Sequence, residues 1–176
     1  MKTTNIERYL NSFGKQVVNR SKGNLKRQKG QTNLGESISF EVIADAKGFS
    51  VNFYMADYGS FLDKGVSGNK KIQSYKNYKG EILKSPFEYT SKQPPANILA
   101  KWISKKRIKG RDAKTGRFIS NLSLAFIFAR KIKRDGIKSL SFFQKPLGLG
   151  IKQFGKDLLK NVKDDILLNL RTTTVN

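Results

Sequence analysis

Four carboxylates are the side chains that could do metal-dependent chemistry in this chain. Glu41, Asp45, Asp57 and Asp63 lie on or beside two strand-like segments, with lysines nearby. Two or three such acids with a lysine can hold Mg²⁺ and cleave a phosphodiester bond. Aspartate also favours turns for structural reasons. Because no spacing among these four residues requires a shared metal, the sequence favours structural roles over a nuclease site.

Other catalytic arrangements are excluded by composition and spacing. The chain contains no histidine and no cysteine, which excludes Ser-His-Asp and Cys-His catalysis, disulfides, and imidazole or thiolate zinc sites. Segments 65–70 and 110–117 are rich in glycine and basic residues but lack the spacing of a phosphate-binding loop. Gly148-Leu149-Gly150 lacks the dinucleotide-binding pattern. We therefore predict a protein that is not an enzyme and has no catalytic residue, metal or cofactor.

Positive charge is the strongest chemical signal. The chain has 35 Lys and Arg against 13 Asp and Glu, a formal net charge of +22 in 176 residues. A compact domain this basic repels itself, so it is expected to bind a polyanion or an acidic protein surface. Nucleic acid is the usual polyanion, because neutralised phosphates release counterions. A membrane is not predicted as a partner, since no segment joins a basic face to a broad apolar one. A solvated surface that only aids solubility is the plain alternative.

The basic residues concentrate in two segments. The first lies within the long connection 66–93 and carries Lys70, Lys71, Lys76 and Lys79. The second is the run 101–117, whose basic residues are Lys101, Lys105, Lys106, Arg107, Lys109, Arg111, Lys114 and Arg117. We predict that both segments contact DNA or an acidic partner protein.

Tyr75 and Tyr78 lie among the lysines of the first segment. Aromatic side chains in this setting can stack on bases or contact a neighbouring subunit. We predict a subunit contact for both tyrosines. A solvated loop is the alternative, and an extended hairpin is the ordered form that the aromatic residues favour.

Hydrophobic periodicity predicts helices at both ends of the chain and in its centre. The predicted helices are residues 4–29, a helix that begins at Pro94-Pro95, residues 121–134 with Asn121 as the N-cap, and residues 151–170. Trp102 lies on the apolar stripe of the second of these. We therefore predict that it is buried against Phe40, Phe53 or Phe128, and that Trp102→Ala costs roughly 3–5 kcal/mol.

Residues 37–56 alternate polar and apolar side chains around Gly48, which predicts an antiparallel hairpin with one buried face. The segment 139–147 has an extended pattern. The longest apolar run, near 122–129, is too short to cross a bilayer, so a soluble protein is expected.

The sequence predicts one α+β domain over 1–176, with a hairpin-based sheet packed by N-terminal, central and C-terminal helices, an insertion at about 66–93, and a loose tail at 171–176.

Three segments in fixed order resemble the small neck and tail-completion proteins of tailed bacteriophages. They are the turn Tyr58-Gly59-Ser60-Phe61-Leu62-Asp63-Lys64-Gly65, the proline pair Pro94-Pro95 with Ile98 and Trp102-Ile103, and the helix Phe128-Ala129-Arg130-Lys131-Ile132 followed by Asp135-Gly136-Ile137 and Phe142-Phe143. The resemblance covers roughly residues 36–147. The large charge, the long C-terminal helix and the basic run 101–117 depart from the family pattern.

The resemblance implies a structural virion protein without catalytic residues. It implies an α+β subunit that forms a homo-oligomeric ring, touches the portal and other neck or tail proteins, and lines or contacts the DNA channel. Contact with genomic DNA would then be independent of sequence. The expected location is the neck or tail of the virion, with assembly in the host cytoplasm. A stand-alone basic nucleic-acid-binding protein is the alternative function.

Overall fold

The computed structural model describes residues 4–45 and 48–173. Its helices are α1 (Thr4–Lys29), α2 (Asn33–Ser37), α3 (Gly59–Lys64), α4 (Ala96–Lys105), α5 (Asn121–Asp135) and α6 (Gln144–Thr173). Its strands are β1 (Ser39–Asp45), β2 (Gly48–Tyr54), β3 (Ser74–Lys76), β4 (Ile82–Lys84), β5 (Gly110–Arg111) and β6 (Phe118–Ile119). The protein thus has the α+β fold that the sequence predicts. None of the helices among these residues combines the length and apolarity that a bilayer crossing requires.

The predicted hairpin is confirmed. β1 and β2 pair antiparallel, with Phe40 opposite Phe53 and Asp45 opposite Gly48. In β2 the odd-numbered residues are partly buried and the even-numbered ones exposed, which is the period-2 pattern of a strand with one packed face. Two residues of the turn, 46 and 47, lie outside the described residues.

Internal contacts divide the chain into two compact units. Unit 1 comprises Met1–Asp63, Lys76–Ile82 and Leu140–Asn176, and unit 2 comprises Lys64–Tyr75 and Leu83–Ser139. Unit 2 is therefore contributed by the middle of the chain, and unit 1 by both ends and a short internal segment. The single domain over residues 1–176 that the sequence predicts stays a prediction. Of the predicted loose tail, residues 171–173 belong to α6, and 174–176 lie outside the described residues.

The core of unit 1 lies where α1 packs on α6 and on the β1–β2 hairpin. Val17 and Leu25 of α1 are buried together with Phe142, which precedes α6. The rings of Phe53 and Phe143 meet edge to face with centroids 5.4 Å apart. The alternating pattern of β2 thus places Phe53 in the same core as the apolar residues of α1.

Two buried aspartates cap the helices of unit 1. Asp63 is 2% exposed, and its Oδ1 accepts hydrogen bonds from the backbone N–H groups of Phe143 (2.8 Å) and Gln144 (3.4 Å), where α6 begins. Asp165 is 1% exposed and accepts from the N–H groups of Asn5 (3.3 Å) and Ile6 (3.0 Å) in the first turn of α1. Carboxylates at these places satisfy unpaired helix donors and oppose the positive end of the helix dipole.

The extended conformation predicted for 139–147 is wrong in its last residues, because α6 begins at Gln144. The helix begins seven residues before the predicted start at 151. Pro146 is compatible with a helix only in the first turn, where its missing N–H costs nothing. The cap at this end comes from Asp63, which is 80 residues away in the chain. A local pattern of apolar residues does not contain that information.

The core of unit 2 is formed by α4 and α5. Ile103 of α4 is fully buried against Leu124 and Ala125 of α5. The N-cap of α5 is Ser120, whose Oγ accepts from the N–H of Ser123 at 3.1 Å. The predicted cap, Asn121, is instead the first helical residue. Serine and asparagine both cap well, so the sequence located the boundary to within one residue.

A backbone junction joins the two segments of unit 2. The N–H of Val66 donates to the carbonyl of Ile137 at 2.8 Å, and the N–H of Ile137 donates back to Val66 at 2.7 Å. Gly136 lies inside this exchange with φ 76° and ψ −165°, a conformation that is essentially confined to glycine. A Cβ atom at 136 would overlap the Val66 carbonyl oxygen and lie 2.6 Å from the Gly68 nitrogen. The junction therefore requires glycine at this position.

Candidate nucleic-acid interface

Every basic side chain in the two predicted segments is exposed to solvent. The structure distributes them over both units. Lys76 and Lys79 belong to unit 1, whereas Lys70, Lys71 and the whole run 101–117 belong to unit 2. The first predicted segment therefore contributes basic residues to both units, and the second contributes only to unit 2.

Within unit 2, helix α5 separates two groups of the predicted cations. The β5–β6 hairpin leads directly into the N-terminus of α5. Lys70 lies at the other end, where its N–H donates to the carbonyl of Arg134 at 3.0 Å. A helix of 15 residues is about 22 Å long. The hairpin cations and Lys70-Lys71 consequently form two surfaces.

A network around Asp112 fixes the turn of the β5–β6 hairpin. Its Oδ1 accepts from the N–H of Lys114 (3.0 Å), the N–H of Thr115 (2.8 Å) and the Thr115 hydroxyl (3.0 Å). Hydrogen bonds from Thr115, and then from Lys114, lower the pKa of the Asp112 carboxyl. The one acidic residue of the run 101–117 is thus engaged within the turn, and it orders the basic residues around it.

Phe118 is the centre of the hairpin surface. Its side chain is 61% exposed. The Arg111 guanidinium carbon lies 4.2 Å from the ring centroid and the Lys109 Nζ lies 5.7 Å from it. Such contacts are cation–π interactions, and they hold two charged groups around an exposed ring. Exposed aromatic rings beside cations bind nucleic acids by stacking and phosphate contact.

Phe118 is not among the contact residues predicted from the sequence. The available signal was an aromatic residue directly after a basic turn with two glycines, Gly110 and Gly116. Only the pairing of Arg111 with Phe118 across β5 and β6 brings the guanidinium over the ring. The hairpin pairing, which is two residues long on each side, was too short to predict from alternation.

Lys105, Lys106 and Arg107 have a structural role at the end of α4. Lys106 N–H donates to the Trp102 carbonyl at 2.9 Å, and Arg107 N–H donates to the Ser104 carbonyl at 3.0 Å. Arg107 has φ 53°, the left-handed conformation that ends many helices. Cations here favour the negative end of the helix dipole. These three residues therefore stabilise α4 whether or not they also contact a partner.

A second basic surface of unit 2 surrounds the C-terminus of α5. The backbone N–H of Asn69 donates to the Lys133 carbonyl at 2.9 Å, which brings the Lys70-Lys71 turn against the helix end. Arg134 binds the Asp135 carboxylate at 2.8 Å. This hydrogen bond, with the nearby charges of Arg134, Lys131 and Lys71, lowers the pKa of Asp135.

The two tyrosines differ in their surroundings. Tyr75 is partly buried, and the Lys64 Nζ lies 5.9 Å from its ring centroid. Tyr78 is exposed, and its backbone N–H donates to Gln144 Oε1 at 3.0 Å. Tyr78 is thus presented on a hairpin tip that is anchored to α6, whereas much of Tyr75 is covered within its own subunit.

The four candidate carboxylates do not form a metal site. Asp63 is buried and caps α6. Glu41, Asp45 and Asp57 are exposed, and Glu41 accepts a hydrogen bond from the Tyr54 hydroxyl at 3.2 Å. Among residues 4–45 and 48–173 there is no group of three side chains placed to hold a metal ion. The described geometry gives no support to the nuclease interpretation.

Trp102 is 45% exposed, so the prediction of burial is wrong. Its ring does meet Phe128 edge to face, with centroids 6.3 Å apart, whereas Phe40 and Phe53 belong to unit 1. The physical reason is that α4 has two apolar faces. Leu99 and Ile103 turn one face into the core, which leaves Trp102 at the side.

We expect Trp102→Ala to cost about 1–2 kcal/mol, because only part of the indole surface is removed from water. Urea unfolding of the wild type and the variant, followed by far-ultraviolet circular dichroism, measures this difference. In the native protein the tryptophan emission should be quenched by acrylamide. Emission that is blue-shifted and protected from the quencher would contradict the exposed position.

The hairpin with Phe118 and the basic end of α5 are the surfaces of unit 2 that the structure offers to a polyanion. Both are formed by exposed cations on ordered turns. Comparison of the chain with protein-family models, with curated proteins and with solved structures gives no match.

Proposed function

We propose that the protein is a structural component of a tailed-phage virion. In this proposal it forms part of a homo-oligomeric ring in the neck between portal and tail, and its basic hairpin contacts DNA in the channel. The resemblance of residues 36–147 to neck and tail-completion proteins suggests the location. The net charge of +22 suggests the polyanionic partner.

The observation that carries the proposal is that one residue from each of the three segments in the resemblance has a structural role in the fold. Ile103, from the segment with the proline pair, is buried against the N-terminal half of α5. Gly136, from the third segment, lies in the backbone junction with Val66. Asp63, from the first segment, caps α6. Residues with these roles specify a subunit framework, as a ring protein requires.

The β5–β6 hairpin supports a contact with DNA that is independent of sequence. Arg111 and Lys109 surround Phe118 at the edge of a hydrogen-bonded turn. Arginine and lysine on phosphates position a nucleic acid but do not read its bases. This is the type of contact that allows DNA to pass through a channel.

A stand-alone nucleic-acid-binding protein is the second candidate. The exposed ring of Phe118 beside Arg111 favours it, since base stacking on an aromatic side chain suits single strands. Under this alternative the protein binds single strands at least as tightly as duplex and is absent from purified particles. Under the ring proposal it binds duplex without sequence preference and copurifies with the virion.

A salt titration of duplex binding tests the role of the hairpin. The variant is Lys109→Ala with Arg111→Ala, and the measurement is fluorescence anisotropy of a labelled duplex. Removing two phosphate contacts should flatten the slope of log K against log salt by about 1.8, at roughly 0.9 per contact. The control, Lys92→Ala with Lys138→Ala, removes the same charge from exposed positions of unit 2 outside the hairpin and should change the slope less. Equal slopes for the two variants would remove the hairpin from the interface.

The virion location is tested separately by mass spectrometry of purified phage particles. We expect the protein in several copies per portal ring, in the ratio that a homo-oligomeric ring requires. Its absence from the particles would contradict the neck proposal. Such a result would leave the salt titration interpretable, because DNA binding by the hairpin does not depend on where the protein acts.

A further inference from the structure

Unit 1 carries a basic groove to which the predicted contact lysines and arginines contribute only Lys76. Three adjoining cavities, of about 340, 260 and 340 Å³, share Lys145 as a lining residue. They run from the tip of the β3–β4 hairpin, along the N-terminal part of α6, to the C-terminal half of α1. The basic side chains that line them are Arg20, Arg27, Lys76, Lys145 and Lys152.

The groove follows from matching stripes on two antiparallel helices. Lys145, Leu149 and Lys152 recur at spacings of four and three on α6. Arg20, Asn24 and Arg27 recur at the same spacings on α1. Residues seven apart lie on one helix face and about 10 Å apart along the axis. The two helices run in opposite directions, since Asn5 bonds to Asp165 and Gln28 bonds to Leu140. Packing of α1 on α6 thus places both stripes beside one groove.

The lining is suited to an anion. No aspartate or glutamate lines any of the three cavities, and none of the five cations forms an ion pair within the described residues. The neutral lining residues include Asn24, Gln28, Asn77 and Gln144, whose amide groups can donate hydrogen bonds. Five like charges without a counter-charge are unfavourable alone, so an anionic ligand stabilises this arrangement.

We propose that this groove binds the phosphodiester backbone of a nucleic acid, as a site separate from the β5–β6 hairpin. A chain of phosphates supplies repeated charges to a row of cavities, which a single small anion does not. An acidic protein segment is less suited, because the only aliphatic side chains that line the three cavities are those of Leu140, Pro146 and Leu149. The groove has no aromatic platform apart from Tyr78, so it should bind the backbone without reading bases.

The test is a triple variant in the full chain, Arg27→Ala with Lys145→Ala and Lys152→Ala. We expect duplex affinity to fall at least about tenfold at 0.1 M salt and the slope of log K against log salt to flatten by about 2.7. All three side chains are exposed, so the thermal unfolding midpoint should stay close to that of the wild type. A second variant, Lys145→Arg with Lys152→Arg, keeps the charge and should retain binding.

The matched control is Lys15→Ala with Lys160→Ala and Lys163→Ala. It removes the same charge from α1 and α6 at exposed positions that line none of the three cavities. We expect it to bind duplex nearly as the wild type does. Equal losses in the two triple variants would show an effect of net charge alone and would overturn the groove. Unchanged binding in the groove variant would overturn it as well.

Two competition and combination experiments distinguish the groove from a general polyanion surface and from the hairpin. Polyglutamate at matched charge concentration should displace the duplex poorly, and displacement as efficient as by unlabelled duplex would overturn a nucleic-acid site. Combining the groove and hairpin variants distinguishes the two proposals. Losses that add in the combined variant indicate two sites. A loss from the groove variant alone would reject the hairpin contact and keep the groove.

Discussion

Gly136→Ala should destabilise unit 2 by about 2–6 kcal/mol. Two costs combine in this substitution. The backbone angles of Gly136 are strained for any residue with a side chain, at about 1–3 kcal/mol. The new Cβ would also press on the Val66 carbonyl and lie 2.8 Å from the Ser67 carbonyl carbon, which adds an overpacking cost of about 1–3 kcal/mol.

Tryptophan fluorescence during urea unfolding measures the loss of stability in unit 2, where Gly136 lies. Trp102 is the only tryptophan of the chain and belongs to unit 2. Gly116→Ala is the control, because Gly116 has a similar positive φ of 68° but nothing within 4 Å of an added Cβ. It should cost only about 1–2 kcal/mol, the penalty of the left-handed conformation. Equal midpoints for the two variants would mean that the close approach at Gly136 does not exist.

Asp63→Ala should destabilise unit 1 by about 3 kcal/mol. The substitution leaves the buried N–H group of Phe143 and the partly buried N–H group of Gln144 without their charged acceptor. Losing a hydrogen bond to a charged group costs about 1.5–3 kcal/mol, and an unsatisfied buried donor adds to this. The first turn of α6 should therefore loosen, and amide hydrogen exchange at Phe143 should quicken in the variant.

Asp57→Ala is the matched control for Asp63. Asp57 is a neighbouring acidic residue of unit 1, but its side chain is exposed. Its removal should change the free energy of unfolding by no more than about 0.5 kcal/mol. The pair also tests the nuclease interpretation. If Asp63 held a catalytic metal, its loss would abolish phosphodiester cleavage with little effect on stability, which is the opposite of the result that capping predicts.

Local sequence pattern predicted the elements that have a clear apolar period. The span of α1 and the pairing of β1 with β2 followed from apolar periods of 3.6 and 2. The start of α6 did not, because its cap Asp63 comes from a distant segment and because Gly148, Gly150 and Gly155 lower its helix propensity. Trp102 was misplaced since α4 has more apolar residues than one face can bury.

For the candidate surfaces, too, the sequence predicted the local property but not the contacts that depend on folding. Exposure of the basic side chains in the run 101–117 followed from its composition, since unpaired lysine and arginine are rarely buried. The contact of Arg111 with Phe118 depends on a short hairpin, and the groove depends on the packing of α1 against α6. The spacing of seven between Arg20 and Arg27, and between Lys145 and Lys152, was visible in the sequence. Its meaning required knowing that those two helix faces meet.

The pairing of α1 with α6 has a consequence for synthesis on the ribosome. The Tyr9 hydroxyl donates to the Phe154 carbonyl across 145 residues of chain. At about 5–20 residues per second, α1 waits roughly 7–30 s before its partner helix emerges. Both segments of unit 2 are made within that interval. Unit 2 can therefore complete its core first, while the apolar face of a basic helix stays open to chaperones and to any nearby nucleic acid.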